Sequence, residues 1–467
     1  MKPWRVLSLA LGTALVAVAL PTFAQTGLAA PAMVPALVAP LAVAGKPKAP
    51  KNVIVMIGDG MGFNQLDAAG LYRYGTSAAQ VTVDARGGTI SRAPRTDVPE
   101  LVAADVKLAM RTTQWGGSYD PVQAWSSFDY VLRNPTDSAA AATAMATGVK
   151  TDNGAIGVDP DGKAVQNLSE LAIATGRSAG VVSSVPFSHA TPAGFSAHES
   201  SRSSYKSIAR DQLRSKLSVV MGAGNPWYND NHVKRGHAKY TYLYKSDYRR
   251  LTGGKSGFAY FTSKGSFEKL TTGASPKRVF GLARVASTLQ QKRSGTSKPG
   301  AKRNAVPSLA TMAKGALNVL DADRDGLFLM IEGGAIDWAN HANQSGRLVE
   351  ESSDFLRAIA AVNRWVEAKS SWDETLLIVT ADHESGYLAG AGAGAGSNPN
   401  WTMLTGRAGS VPAMSWHSGG HTSQLVPFYA RGSAATSFSD SVVGQDPVRG
   451  AFVDNTSVQR VVAGLWR

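Results

Sequence analysis

The sequence contains no cysteine among its 467 residues, so the fold relies on no disulfide bond. Beyond the first 24 residues, no stretch is long and apolar enough to cross a bilayer, and no internal repeat is present. These absences exclude disulfide cross-links, a membrane span after the N-terminus and a repeat architecture.

Acidic residues are scarce between residues 231 and 303. This segment has 17 Lys and Arg against Asp247 and Glu268, a net charge of +15, while the whole chain carries +14. Such a segment could attract nucleic acid, anionic lipid or a surface polymer, but charge alone specifies no partner. We interpret residues 225–305 as a basic insertion that attracts anionic substrates in general, and we predict no specific nucleic-acid partner.

The N-terminus has the pattern of an export signal. A basic start precedes the apolar run Val6 to Leu20, which is short for a membrane span. Residues 1–24 are predicted to be a signal peptide and residues 25–50, rich in Ala, Pro and Val, a linker. Cleavage after Ala24 and cleavage after Ala44 both stay open. The prediction is a periplasmic or secreted protein.

Apolar runs typical of buried strands alternate with helical segments such as Leu348 to Ala368. The alternation predicts βαβ units and one large α/β domain over residues 51–467. Within it, residues 389–418 form a Gly/Ala-rich loop region that begins with alternating Ala and Gly. The strand-like runs are Asn52 to Ile57, Leu327 to Ile331 and Thr375 to Thr380.

Polar residues follow each of these strand-like runs. In open α/β sheets, ligands bind beyond the carboxyl ends of the strands. Asp337 and His341 are four residues apart and would share one helix face. A mixed set of imidazoles and carboxylates suits zinc and magnesium. The candidate set is Asp59, Glu332, Asp337, His341, Asp382, His383 and His421.

A calcium loop is an alternative for part of this set. Asp321 to Gly326, with Glu332 after five more residues, matches the EF-hand pattern. That motif needs exposed ligands where this chain has five consecutive large apolar residues. We therefore favour a turn that leads into a core strand.

Ser138 is the candidate nucleophile. Pro135 ends the preceding strand, and either Asp137 or Ser138 can cap a helix rich in Ala and Thr. A serine at a helix N-terminus faces free N–H groups, which suits a phosphate. An ordinary cap is the alternative reading. A metal set beside it favours the nucleophile, because a metal lets the hydroxyl ionise near neutral pH.

Taken together, these segments resemble the bacterial branch of the alkaline phosphatase family. The block Thr136 to Ala140, then Thr147 to Thr151, is similar to the nucleophile signature of that family. The runs Glu332 to His341 and Thr380 to His383 also match, in the same order. The resemblance implies a three-layer α/β/α sandwich with a large, mostly parallel central sheet and surface insertions. It also implies hydrolysis of phosphate monoesters, with inorganic phosphate as product and inhibitor.

The resemblance further implies roles for single residues and three metal ions, two Zn²⁺ and one Mg²⁺. Ser138 would form a phosphoserine, and Arg202 would clamp the phosphate oxygens. One zinc would be held by Asp337, His341 and His421. The second zinc would be held by Asp59, Asp382 and His383. The magnesium would be held by Asp59, Glu332 and Thr191.

Two positions depart from the family pattern. Position 189 is His where some members have Asp, which leaves the identity of the third metal open. Position 338 is Trp where other members have Lys or His near the phosphate. Trp338 supplies no positive charge, so phosphate affinity and pH optimum stay open. A monomer and a homodimer are both compatible with the sequence.

Other functions stay open at this point. A metal-dependent phosphodiesterase of the same superfamily would often use Thr and lack the Arg202 clamp. A sulfatase needs an oxidised Cys or Ser, and the chain has no Cys and no matching signature. An exported calcium- or anion-binding protein without catalysis would leave the other candidate ligands unexplained.

Overall fold

An eleven-stranded sheet forms the centre of the protein. The computed structural model describes residues 48–86, 88–301, 303–394 and 400–467. Its strands, in chain order, are β1 (Asn52–Ile57), β2 (Val81–Asp84), β3 (Thr89–Arg92), β4 (Val106–Arg111), β5 (Ser178–Pro186), β6 (Val219–Ala223), β7 (Ala259–Phe261), β8 (Val279–Leu282), β9 (Leu327–Glu332), β10 (Thr375–Thr380), β11 (Glu384–Ser385), β12 (Leu388–Ala389), β13 (Asn400–Trp401), β14 (Ser415–Trp416), β15 (His421–Thr422), β16 (Val426–Gly432), β17 (Val442–Asp446) and β18 (Gly450–Asp454).

Helices separate most of the strands of this sheet. The described α-helices are α1 (Phe63–Tyr74), α2 (Gln123–Ser126), α3 (Ser138–Thr147), α4 (Leu168–Ala174), α5 (Ala190–Gly194), α6 (Tyr205–Arg214), α7 (Lys245–Thr252), α8 (Lys264–Lys269), α9 (Leu309–Leu320), α10 (Ala335–His341), α11 (Ser345–Lys369) and α12 (Ser457–Trp466). Two short 3₁₀ helices span Tyr130–Leu132 and Ala435–Ser441.

The central sheet is mostly parallel, in the order β17-β18-β4-β16-β10-β1-β9-β5-β6-β8-β7. Strand β1 lies in its middle and pairs in parallel with both β9 and β10. Strand β16 is antiparallel to its neighbours β10 and β4. Helices α9 and α11 pack together on the sheet, as do α3, α4 and α12 in a second group. The expected three-layer α/β/α architecture with a large, mostly parallel sheet is confirmed.

Strands β1, β9 and β10 are buried along their whole length. A strand with both faces covered reads as a continuous apolar run, which is how the sequence predicted these three. The buried β9 also occupies the stretch where an EF-hand loop would need exposed ligands, so the turn-to-strand interpretation of residues 321–332 describes the structure.

The register of the sheet sets the position of the polar residues. Ile57, the last residue of β1, pairs with Glu332 on one side and with Thr380 on the other. Ser183 of β5 pairs with Glu332 as well. The carboxyl ends of four neighbouring strands therefore meet at one edge, and the turns after them begin side by side.

The segment 225–305 contributes to the central sheet. Strands β7 and β8 lie within it and extend the sheet beyond β6, with all three strands parallel. Arg and Lys side chains cover aromatic residues in this segment, for example Arg278 over the ring of Phe258. The basic segment therefore combines sheet strands with a charged surface.

The Gly/Ala-rich region 389–418 contains short strands joined by turns. Strand β13 pairs with β2, and β14 pairs with β12. Residues 395–399 lie outside the described residues, as do the proposed signal peptide, 1–24, and residues 25–47 of the proposed linker. Among the helices of the described ranges, none has both the length and the apolar character that a membrane span requires.

Candidate active site

Ser138 is the first residue of α3, and Asp137 is the residue that caps this helix. The Asp137 side chain accepts a hydrogen bond from the backbone N–H of Ala140 at 2.9 Å. All ten residues of α3 are buried. Helices α3 and α5 pack closely at Gly194 of α5. A Cβ added there would lie only 2.8 Å from the Cβ of Ala142, so the packing requires a residue without a side chain. The Ser138 hydroxyl is thus held at a fixed point of the helix N-terminus.

Three oxygen atoms converge on Nε2 of His383, which follows β10. The hydroxyl of Ser138 lies 3.1 Å from this nitrogen. Oδ2 of Asp382 lies 3.3 Å away, and Oδ1 of Asp59 lies 3.5 Å away. Zinc ligands at about 2.0 Å in a tetrahedral site lie about 3.3 Å from one another. Each of these three separations from the His383 nitrogen is near the distance between two ligands of one small cation.

A second group of potential ligands lies beside the first. Nε2 of His341 is 3.3 Å from Oδ1 of Asp337 and 3.1 Å from Nε2 of His421. The His421 nitrogen is 3.6 Å from the same Asp337 oxygen. The other ring nitrogens are oriented by backbone carbonyls, that of His341 by Gly419 and that of His421 by Thr136. Such bonds hold imidazole ligands in place.

Asp337 links the two groups. Its carboxylate lies within 4.8 Å of ligand atoms of Asp59 and His383, as well as of His341 and His421. The expectation from the resemblance placed Asp382, rather than Asp337, with Asp59 and His383. The structure brings both carboxylates to this place, with Asp382 the one that contacts His383 directly.

Glu332 and Thr191 lie at the buried end of the site. One carboxylate oxygen of Glu332 accepts a hydrogen bond from Ser183. The other Glu332 oxygen and the Thr191 hydroxyl are buried, and within the described chain they have no hydrogen-bond partner. Burial is the main reason why the pKa of Glu332 rises to about 7. His189, the departure from the family pattern, is the residue before α5, and burial lowers its pKa to about 3.

The carboxylates at this edge are poorly compensated by the protein itself. Neither oxygen of Asp59 nor Oδ2 of Asp382 has a hydrogen-bond partner among the described residues, and all three atoms are buried. Burial, and then the charge of Asp382, raises the pKa of Asp59. Burial also raises the pKa of Asp382 to about 6. Unpaired buried carboxylates are costly, so this arrangement favours a bound cation.

The histidines differ in their protonation. Burial holds the pKa of His383 well below its usual range, so this imidazole stays neutral with a lone pair available. A hydrogen bond with Asp337 raises the pKa of His341 to about 9. Burial opposes the ionisation of Asp337, but its bonds to His341 and His421 outweigh that effect and lower its pKa.

Arg202 lies beside the nucleophile. One guanidinium nitrogen donates a hydrogen bond to Oδ2 of Asp137 at 2.8 Å. Arg202 is half-buried and lines, together with Ser138, Asp337, His341 and His421, a cavity of ≈ 620 Å³. The cavity gives a substrate access to the serine and to these three metal-ligand candidates at once.

Several residues of the site were not found from the sequence. Ser385 donates a hydrogen bond to Asp337 at 2.5 Å and lies 3.3 Å from Nδ1 of His383. In the sequence, its position two residues after His383 could have indicated that Ser385 belongs to the site. Gln291 and Lys292 line the cavity, although they belong to the basic segment. No motif marked them, because their approach depends on the packing of that segment against α10.

Known proteins of one family are similar to this chain over more than half of its length. A family model described as alkaline phosphatase matches residues 122–403. Alkaline phosphatase 3 of Bacillus subtilis is 33% identical over 350 residues, which are 73% of this chain and 63% of that protein. The alkaline phosphatase of Escherichia coli is 31% identical over 366 residues, 72% of this chain and 70% of that protein. The chain therefore aligns with less than two thirds of the Bacillus protein.

Solved structures share the fold. The cold-active alkaline phosphatase of a Shewanella species superposes with a TM-score of 0.62 at 24% identity, over 89% of this chain and 100% of that chain. The Thermus thermophilus alkaline phosphatase gives a TM-score of 0.62 at 21% identity, over 93% and 96% of the two chains. On the family model and the two bacterial relatives, this chain belongs to the alkaline phosphatase family.

Proposed function

We propose that the protein hydrolyses phosphate monoesters through a phosphoserine intermediate on Ser138 and releases inorganic phosphate. The observation that carries the proposal is the convergence of Ser138, Asp59 and Asp382 on Nε2 of His383, at distances of 3.1–3.5 Å. Asp137, and not Ser138, caps α3, so the role of a helix cap does not account for this serine.

We propose two zinc ions and one magnesium ion as cofactors. The fit rests on the buried oxygens without hydrogen-bond partners and on ligand separations near those of a tetrahedral zinc site. The first zinc would be held by Asp337, His341 and His421. The second would be held by Asp59, Asp382 and His383. The magnesium would be held by Asp59, Glu332 and Thr191, whose oxygen atoms suit a hard cation.

When bound, the metal ions supply positive charge that lowers the pKa of a hydroxyl and stabilises the charged oxygens of the phosphoryl group. Arg202 adds a planar fork that can pair with two of those oxygens. Its bond to Asp137 fixes the direction of the fork. Ser138, the first residue of α3, lines the same cavity, and a helix N-terminus favours anions.

Ser138 performs the covalent steps. Its oxygen forms a bond to phosphorus, the bond to the ester oxygen breaks, and the alcohol leaves with that electron pair and takes up a proton. Water then attacks the phosphorus of phosphoserine, the bond to Ser138 breaks, the serine regains its proton and phosphate is released. Because phosphate fits the same contacts as the substrate, we expect it to inhibit as a product.

The first experiment is turnover of a chromogenic phosphate monoester beside the matching diester and sulfate. It is done after chelation and again after adding back zinc and magnesium. We expect the monoester to be hydrolysed in preference to the diester and the sulfate, most rapidly at alkaline pH. We expect this activity only when metals are present. Preference for the diester would favour a phosphodiesterase instead, and folded, metal-loaded protein that cleaves none of the esters would refute the catalytic proposal.

We also propose export to the periplasm or the medium. The proposal rests on residues 1–24, which have the composition of a signal peptide. N-terminal sequencing of the protein recovered from each cell fraction tests it. A mature chain beginning after Ala24 or Ala44 is expected, whereas a cytoplasmic protein that begins at Met1 would contradict export.

A further inference from the structure

Lys292 lies at the mouth of the active-site cavity. It belongs to the basic segment, is exposed, and lines the same cavity as Ser138 and Arg202. Its ammonium group lies 4.8 Å from the ring centre of Trp338. Trp338 follows the ligand candidate Asp337 directly, so this cation lies next to the proposed metal site although it comes from a distant part of the chain.

The backbone on both sides of Lys292 is anchored to the core. Arg293 forms two hydrogen bonds with Glu350 of α11, at 2.6 and 2.8 Å, and both side chains are only 3% exposed. Gln291 donates to the carbonyl of Trp338 at 3.3 Å and to the side chain of Gln344 at 3.1 Å. A lysine between two anchored, buried residues has a fixed starting point, in contrast to a lysine on a free surface loop.

Trp338 provides the surface on which the lysine rests. A cation over an indole face is attracted by the ring. The indole also contacts the ring of His189 edge to face, with the ring centres 5.6 Å apart. The ring is therefore held between the buried histidine and the exposed lysine. The positive charge that Trp338 itself lacks is brought to the cavity by Lys292.

The Arg and Lys side chains that line the cavity differ in exposure. Arg202 is half-buried and bonded to the residue before Ser138, whereas Lys292 is exposed at the mouth. In phosphoryl transfer the leaving oxygen lies opposite the attacking oxygen. The alcohol part of a substrate attacked by Ser138 therefore points away from the serine and out of the cavity, whose exposed lining includes Lys292.

We propose that Lys292 is a specificity-determining residue, which binds an anionic group on the alcohol part of the substrate. Monoesters whose alcohol carries a carboxylate or a second phosphate would be preferred over monoesters of neutral alcohols. The inference rests on the proposed phosphomonoesterase function. It assigns to the basic segment a direct contact with substrate, in addition to a general attraction of anions.

A pair of matched substrates tests it. Glycerol 3-phosphate and 3-phosphoglycerate differ mainly in a carboxylate on the leaving part. In Lys292→Gln, we expect KM for 3-phosphoglycerate to rise about fivefold, which corresponds to the free energy of one solvent-screened ion pair. We expect kcat to change little. KM for glycerol 3-phosphate should stay within about twofold, because no charge pair is lost there. Lys292→Arg should retain the preference.

The matched control is Lys277→Gln, which removes one exposed positive charge from the same basic segment outside the cavity. It should change neither KM. If Lys277→Gln had the same effect as Lys292→Gln, or if Lys292→Gln raised both KM values equally, the preference would come from the general field of the segment and the proposal would be overturned.

Inhibition by inorganic phosphate distinguishes the two ends of the substrate. Phosphate has no alcohol part, so Lys292→Gln should leave its inhibition constant unchanged. Weakening equal to the change in KM for 3-phosphoglycerate would place Lys292 on the reacting phosphate and contradict the proposal. If the unchanged, metal-loaded protein cleaves neither ester, the proposed function itself fails, so the two failures are distinct.

Discussion

The hydroxyl oxygen of Ser138 lies 3.1 Å from Nε2 of His383, and both side chains are at most 1% exposed. One residue begins α3 and the other follows β10, so the contact joins a helix N-terminus to the carboxyl edge of the sheet. In Ser138→Ala, we expect turnover to fall by about 10³-fold or more, because the nucleophile is lost. Steady-state kinetics with a chromogenic monoester measures it.

A control separates the loss of the nucleophile from the loss of a buried hydroxyl. Ser169→Ala removes a buried serine hydroxyl at the start of α4, away from the cavity. It should keep full activity, and both variants should unfold at nearly the temperature of the parent. Retained turnover in Ser138→Ala would contradict the assigned nucleophile.

Arg202 offers two parallel donors, and lysine cannot reproduce them. In Arg202→Lys, we expect about 10- to 100-fold weaker inhibition by phosphate, the loss expected for one or two charge-assisted hydrogen bonds. KM for a monoester should also rise, because the substrate loses the same contact. Inhibition by phosphate measures the contact apart from chemistry. An inhibition constant equal to that of the parent would show that the guanidinium does not bind the phosphoryl oxygens.

Chelation should lower the thermal stability of the protein. Removal of a cation leaves Asp59, Asp382 and Glu332 buried together without compensation, whereas a ligand present at about 100 times its dissociation constant stabilises the fold by about 2.7 kcal/mol. We expect the unfolding temperature to fall on chelation and to recover with zinc and magnesium. Calorimetry measures both steps.

The variant Asp59→Asn is the control for this measurement. It removes one buried charge whose oxygens lack hydrogen-bond partners in the described chain. Its metal-free form should be more stable than the metal-free parent, and chelation should lower its unfolding temperature by a smaller amount. The same unfolding temperature with and without chelator in the parent would argue against a cation at this edge.

Glu351 should make stability depend on pH, away from the metal-ligand candidates. Burial, and then the charges of Asp354 and Glu350, raises its pKa from 4.5 to about 8. Between these values the folded protein retains a proton that the unfolded chain releases, so stability falls as pH rises through this window. Glu351→Gln should remove this loss. Relative to its effect at pH 5, it should raise the free energy of unfolding at pH 9 by about 1–3 kcal/mol. Denaturant unfolding at the two pH values measures it.

The neighbouring Glu350→Gln serves as a control of opposite sign. It breaks the buried ion pair with Arg293 and should lower the free energy of unfolding by about 3–5 kcal/mol, because the buried guanidinium loses the opposing charge of Glu350. If Glu351→Gln were destabilising as well, Glu351 would be ionised and paired in the folded protein, and the pH argument would be wrong.

The strands that carry the site could be predicted from the sequence, because burial on both faces leaves an uninterrupted apolar pattern. This holds for β1, β9 and β10. Helix α11 was also predicted, as Leu348 to Ala368, and the structure extends it to Ser345–Lys369. The polar residues after the strands were found because parallel strands end at one edge.

Other parts depend on contacts that local pattern does not encode. Strand β7 has only three residues, all half-buried, and β8 has only four residues, all buried, so neither gives a clear periodic signal within the basic segment. The position of Lys292 over Trp338 follows from the Arg293–Glu350 pair, which joins residues 57 positions apart. The division of Asp337 and Asp382 between two ligand groups likewise depends on side-chain directions that spacing does not give.

The middle position of β1 has a consequence for how the chain folds. This strand comes first among the described strands, yet the hydrogen bond from the side chain of Asn52 reaches Thr375, 323 residues later. Until β9 and β10 have been synthesised, both edges of β1 lack their native neighbours. Contacts between such distant segments form slowly, and an unpaired apolar strand is prone to association with other chains. A chain emerging from the ribosome would therefore need a chaperone, or would have to fold late, to protect β1 from association with other chains.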